Sequence, residues 1–168
     1  MQWLLIIVGA IVALIILVVV IGLLLPKAHR VSRTIRLQQN PQMVFETIRD
    51  WKSYPTWRPV SVEEWTGPNG ATGWVEKMNR MEIPLQILES SSNKLVTKIA
   101  DPKLPFGGTW TYEVQPDGTG SAVTITEDGE VYNPIFRFVS KFIMGHKSIL
   151  NGYLRALGKK FGQDVMLQ

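Results

Sequence analysis

No charged side chain stands before Lys27 in this chain of 168 residues. From Trp3 to Leu25 the residues are almost all Leu, Ile, Val, Ala and Gly. A helix of that length, at about 1.5 Å per residue, spans roughly 35 Å, enough to cross the hydrocarbon core of a bilayer. Its backbone groups are satisfied within the helix, which makes such a run stable in lipid. Trp3 and Leu4 suit one interface, and Leu25 followed by Pro26 marks the other end. A cleaved secretory signal needs a basic n-region, an apolar core of roughly 7 to 15 residues and a small-x-small site, and none of these is present. The expectation is an uncleaved anchor over residues 1–26 and one soluble domain over 27–168. Lys27, Arg30, Arg33 and Arg36 crowd the C-terminal flank, so that domain is expected on the cytoplasmic side of a single-pass membrane protein. Gly9 and Ala13 form a small-xxx-small pair, a spacing that permits close helix approach but is common by chance; the oligomeric state stays open.

All the formal charge lies in the second part, 18 Lys and Arg against 14 Asp and Glu, a net +4. The positive residues are scattered apart from the flanking cluster, without the basic stripe of a nucleic-acid binder. With no cysteine, disulfides, thiolate metal sites and Cys nucleophiles are excluded. His29 and His146 are the only histidines, too few for a histidine-rich metal site, and no cofactor is expected.

His29 to Leu37 alternates polar and apolar residues as a strand with one buried face does. Asn40-Pro41 supplies an N-cap and a proline at the first helical position, and Val44, Phe45, Ile48 and Trp51 share one face of the helix it opens. A brief helix or turn is expected over Ser53 to Trp57, ended by Pro59. Strands are then expected over Val60 to Trp65, Gly73 to Asn79, Met81 to Glu89, Leu95 to Ala100, Thr109 to Val114 and Ala122 to Val131, with Gly, Pro, Asn and Ser turns between them. Parity places Met81, Ile83, Leu85 and Ile87 on one face, as it does Trp110, Tyr112 and Val114 and then Val123 and Ile125. A sheet apolar on one side needs a cover. Asn133-Pro134 opens a helix in which Ile135, Val139, Phe142, His146, Ile149, Leu150, Tyr153, Leu157 and Phe161 keep helical spacing, predicting one long helix across the sheet.

This order resembles the START-like, or Bet v 1-like, superfamily, and in particular the polyketide cyclase/dehydrase and lipid transport (SRPBCC) family. Three stretches carry the resemblance: Asn40-Pro41 through Phe45 and Ile48, the run Tyr54-Pro55-Thr56-Trp57-Arg58-Pro59, and Ile125-Thr126-Glu127-Asp128-Gly129 leading to Asn133-Pro134. The resemblance implies an α+β helix-grip fold, a curved seven-stranded antiparallel sheet around a long C-terminal helix with an internal cavity for apolar molecules. It does not imply one activity.

Such a cavity is expected to be lined by Trp65, Trp74, Ile83, Leu85, Ile87, Trp110, Tyr112, Ile125, Val139, Phe142, His146, Leu150 and Tyr153, each of which also fits as plain core. His146 on the apolar stripe and Glu127 at strand parity with Ile125 are the candidates for acid–base chemistry; Glu76 beside Trp74 is a third carboxylate of the same ambiguity. Leu104, Pro105, Phe106 and Gly107 fit either a lid over the cavity mouth or a hairpin connection. Gly145 and Gly152, seven residues apart, fall on one side of the long helix, where missing side chains allow close approach or a bend. The expected partners are the bilayer and a hydrophobic small molecule or lipid, as for a tethered carrier or sensor. The alternatives are an enzyme of the cyclase or dehydratase kind and an interaction module with a filled interior.

Overall fold

A computed structural model describes residues 2–78, 81–145 and 147–168, so the candidate His146 and the expected strand residue Asn79 lie outside the described residues. Helix α1 (Gln2–Leu24) is apolar on every face, exposed over nearly its whole length, and long and apolar enough to cross a membrane. Pro26 ends it, and β1 (Ala28–Leu37) follows. The Asn40 side chain caps α2 (Pro41–Arg49) by accepting from the Gln42 amide at 2.8 Å, and the helix buries Val44, Phe45 and Ile48. A 3₁₀ turn over Trp51–Thr56 comes next, so Trp51 lies outside α2 and stacks on Trp74 instead, ring centroids 5.7 Å apart.

Strands β2 (Ser61–Thr66), β3 (Thr72–Met78), β4 (Met81–Ser90), β5 (Lys94–Ile99), β6 (Phe106–Asp117) and β7 (Gly120–Val131) form an antiparallel sheet with β1, in the order β1-β7-β6-β5-β4-β3-β2. The sheet is curved, with a bulge in β4 between Ile87 and Glu89. Its concave face packs on α2 and on α4 (Ser148–Lys160), where Leu150, Tyr153, Leu154 and Leu157 are buried against Ile35, Leu37, Leu95, Tyr112, Val123 and Ile125. This is a helix-grip fold. The C-terminal tail returns along β1, where Thr34 and Gln168 exchange backbone hydrogen bonds at 3.2 and 3.0 Å, and Val165 and Leu167 pack on the core. The tail thereby occupies the edge of β1 at Thr34.

Three expectations are corrected. The single long helix is broken: α3 (Pro134–Val139) runs into a π-helical turn (Ser140–Met144), and Gly145 ends it at φ +72°, with its amide bonded to the Ser140 carbonyl. A left-handed backbone at that point suits glycine and stops a right-handed helix. Helix α3 packs beside the C-terminal end of α1 rather than across the sheet. Secondly, Phe106 and Gly107 belong to β6, paired with Val131 and Glu130, so they are strand and not a lid; Leu104 and Pro105 remain in the preceding loop. Thirdly, the sequence pattern assigned Trp65 to the concave side, but its neighbour Glu64 pairs with Trp74, which turns Trp65 to the opposite face, over Gly67.

Candidate functional site

Antiparallel partners share a face, so the strand register fixes which side chains meet on the concave side. Val31, Glu127 and Trp110 form one row across β1, β7 and β6, while Arg33, Ile125, Tyr112 and Leu95 form the next. Ile35, Val123 and Val114 follow beyond. Burial changes along these rows. Residues under α4 and α2, including Ile35, Val114, Val123, Ile125, Leu150 and Leu154, are fully buried. Val31, Trp110, Ile99, Ile83, Ile87 and Met78 are only partly buried. All but Ile87 lie toward the end of the sheet where α1 enters β1.

Of the residues expected to line a cavity, Trp74, Leu85, Tyr112, Ile125, Leu150 and Tyr153 are buried in the common core. Ile83 and Trp110 are partly buried toward the end where α1 enters, and Ile87 is partly buried nearer the β4 bulge. Val139 is half-buried on α3, and Phe142 stands outside on the π turn, 59% exposed with its ring against Phe138; the helix break carries both away from the concave face.

Under α4 the interior holds an ion pair boxed by aromatic rings. Arg58, set by the turn after Pro55, donates through Nη1 and Nη2 to the two Glu76 oxygens at 2.8 and 3.1 Å, with side chains only 10% and 13% exposed. Trp74 Nε1 adds a third donor to Glu76 at 3.3 Å. The guanidinium lies over the rings of Tyr153 (4.5 Å) and Tyr54 (4.8 Å), a cation–π arrangement that returns part of its lost hydration. Burial works against the Arg58 charge, and the Glu76 carboxylate outweighs it, holding the pKa above its ordinary value. Tyr54 donates to the Ile48 carbonyl at 2.7 Å, so Tyr153 is the donor in the 3.1 Å contact between the two hydroxyls. Burial, together with the neighbouring phenols, raises the Tyr54 pKa well above its usual value, and these rings stay neutral. The run from Tyr54 to Pro59 was legible as a family signature, but its pairing with Glu76 crosses from a turn to a distant strand and is visible only once β3 is placed.

At the open end Glu127 faces inward with His29 Nε2 at 3.4 Å from its Oε1. Its Oε2 is buried with no hydrogen-bond partner, and burial pushes its pKa up to about 7. Strand parity left Glu127 either turned inward or in water at the strand end; the structure turns it inward beside His29, a neighbour that needs the β1–β7 register as well as parity. A carboxyl that ionises near neutrality beside an imidazole can exchange a proton with a bound molecule. No group of three His, Cys, Asp or Glu suited to a metal ion exists among the described residues.

A curved sheet gripping a C-terminal helix, with an aromatic interior open at one end, defines the START/Bet v 1-like class. Residues 28–161 match the family described as polyketide cyclase/dehydrase and lipid transport, and the chain belongs to that family. Among solved structures it is similar to a START superfamily protein from Mycobacterium smegmatis, at 16% identity over 79% of this chain and 97% of that one, with a TM-score of 0.60. It is also similar to norcoclaurine synthase from Thalictrum flavum, at 14% identity over 80% and 94% of the two chains and a TM-score of 0.61. The di-domain ARO/CYC BexL from the BE-7585A biosynthetic pathway shares 12% identity over 82% of this chain and 50% of that one, with a TM-score of 0.60. At these identities the likeness is one of fold. No curated protein sequence matches the chain.

Proposed function

We propose that the protein is a membrane-anchored binding protein for a hydrophobic small molecule or lipid, with residues 1–26 as anchor and the domain over 27–168 on the cytoplasmic side. The observation that carries this reading is the change in burial along the concave face. Its partly buried apolar end, with Val31, Trp110, Ile99 and Ile83, is the end from which α1 leaves. A domain tethered that way turns its open apolar surface toward the phase in which apolar ligands dissolve. The tether raises their effective concentration without added contacts. The cationic flank at Lys27 and Arg30 supports the cytoplasmic orientation. Native mass spectrometry of the full chain released from lipid nanodiscs tests the proposal. A hydrophobic species retained at about one per chain is expected, and a chain that carries none would overturn it.

A second reading, an enzyme of the cyclase or dehydratase kind, is favoured by the Glu127–His29 pair alone. That pair supplies the proton-transferring partners such chemistry requires, at the open end of the concave face. On this reading Glu127→Gln and His29→Asn each abolish turnover of any substrate while leaving ligand retention intact. Retained turnover in both variants would remove it.

A further inference from the structure

Where α1 passes into β1, a cavity of about 200 Å³ opens, reaching His29 and Val31 at the border of the concave face. Its walls carry four cationic side chains, Lys27, Arg30, Arg137 and Lys141, and no carboxylate among the described residues that line it. Two of these charges are already engaged. Arg30 reaches Asp128 at 3.3 Å on the outer surface, and Arg137 gives its terminal nitrogens to the carbonyls of Gly22, Leu25 and Tyr132 at 3.0 to 3.1 Å. Arg137 is only 7% exposed and keeps its Nε buried without a hydrogen-bond partner. Lys27, after α1, and Lys141, on the π turn, line the same space, and a wall of cations without a carboxylate favours an anionic occupant. Directly after Lys141, Phe142 and Ile143 are 59% and 71% exposed, and Phe136 on α3 is nearly half exposed beside α1. Polar and apolar surfaces thus follow in sequence: Lys141 at the cationic pocket, then the exposed Phe142 and Ile143.

We infer that this junction binds the phosphodiester headgroup of an anionic phospholipid, with Lys27 and Lys141 pairing the phosphate and Phe142 and Ile143 lying against the acyl chains. The inference rests on the reading of α1 as a membrane span, because only then does the cavity sit at headgroup depth. Neutral lipid lacks the net charge that Lys27 and Lys141, beside the Arg137 guanidinium, select for, and free phosphate lacks the chains that Phe142 and Ile143 accommodate.

The test uses the full chain in nanodiscs of phosphatidylcholine alone and of an equimolar mixture with phosphatidylglycerol. Native mass spectrometry should find phosphatidylglycerol retained by the wild type. Lys27→Gln/Lys141→Gln should retain it roughly tenfold less, Lys98→Gln/Lys103→Gln, with the same loss of charge elsewhere, should match the wild type, and Lys27→Arg/Lys141→Arg should restore it. Equal retention by both glutamine pairs would overturn the site. If inorganic phosphate in neutral nanodiscs raises the melting temperature as much as phosphatidylglycerol does, the lipid assignment is overturned in favour of a soluble-anion site. The chain has no native cysteine, so a fluorophore on Ile11→Cys, read by brominated-lipid quenching, reports separately on α1. Quenching without phosphatidylglycerol selectivity overturns this inference alone, and no quenching overturns the anchor reading as well.

Discussion

Arg137 on α3 donates through Nη1 to the Gly22 carbonyl at 3.0 Å, joining two helices that stand 115 residues apart in the chain. The last carbonyls of a helix have no partner of their own, and a cation near them is favoured by the helix dipole. Here one guanidinium serves the Gly22 and Leu25 carbonyls together. Gly22 makes the approach possible, since a Cβ there would fall 2.0 Å from the Pro134 carbonyl oxygen. Arg137→Met should therefore free the end of α1 from α3, leaving three carbonyls unpaired at a cost of about 3 kcal/mol. Gly22→Leu should do the same by collision. Hydrogen exchange in lipid checks both: the amides of Pro134–Val139 and the last turn of α1 should exchange at least several-fold faster, and those of Leu150–Leu157 should not change.

The Arg58–Glu76 pair is buried, and a buried pair is costly to break and often cheap to replace. Glu76→Gln leaves the guanidinium between two rings without its counter-charge and should destabilise the domain by about 3 kcal/mol. Arg58→Met/Glu76→Met should recover most of that loss. Urea unfolding of the single and double variants measures the coupling directly, and additive losses would show that the two residues act independently.

Glu127 titrates near 7 because burial disfavours its charged form, so the folded protein binds its proton more tightly than the unfolded chain does. The sign follows from that difference. Stability attached to this group is highest below the ordinary carboxylate range, falls as the pH rises through the window between there and about 7, and stays reduced above it. Glu127→Gln should remove this fall and raise stability at pH 8 by up to about 3 kcal/mol, less whatever the neighbouring His29 contributes when charged. Unfolding free energies of the two proteins across the pH range give the comparison, and parallel curves would contradict the assignment.

Much of this architecture was legible because short-range rules decided it. Asn40 and Asn133 cap helices followed by proline at the first position, and the inward parity of Ile83, Tyr112 and Ile125 survives in the sheet. The long helix failed because periodicity reports where apolar residues lie, not what covers them. Ile135, Phe136 and Ile143 are exposed, and the segment holding them packs beside α1 instead of on the sheet. A mid-helix glycine is only a modest penalty in a sequence reading, yet Gly145 adopts a left-handed backbone there and divides the segment. Trp65 was misplaced because β2 has Val62 and Trp65 on opposite parities, and only pairing with β3 chooses between them. The Arg58–Glu76 and His29–Glu127 pairs are tertiary, set by register and by a turn, and lie beyond local pattern.

Whether the half-open end of the concave face serves as the ligand's place can be asked by filling it. Ile83 faces inward opposite Glu76, partly buried, beside the Arg58–Glu76 pair. Ile83→Trp adds an aromatic ring at a partly buried position beside that pair, so overpacking should cost about 1 to 3 kcal/mol, with the domain still folded. The same ring should exclude a resident apolar molecule and lower the retained fraction several-fold. Leu88→Trp places an equal volume at a site already 49% exposed and should leave retention at the wild-type level. Native mass spectrometry of both variants from nanodiscs decides the matter: equal retention by the two would separate the bound species from the concave face and direct attention to the junction between α1 and α3.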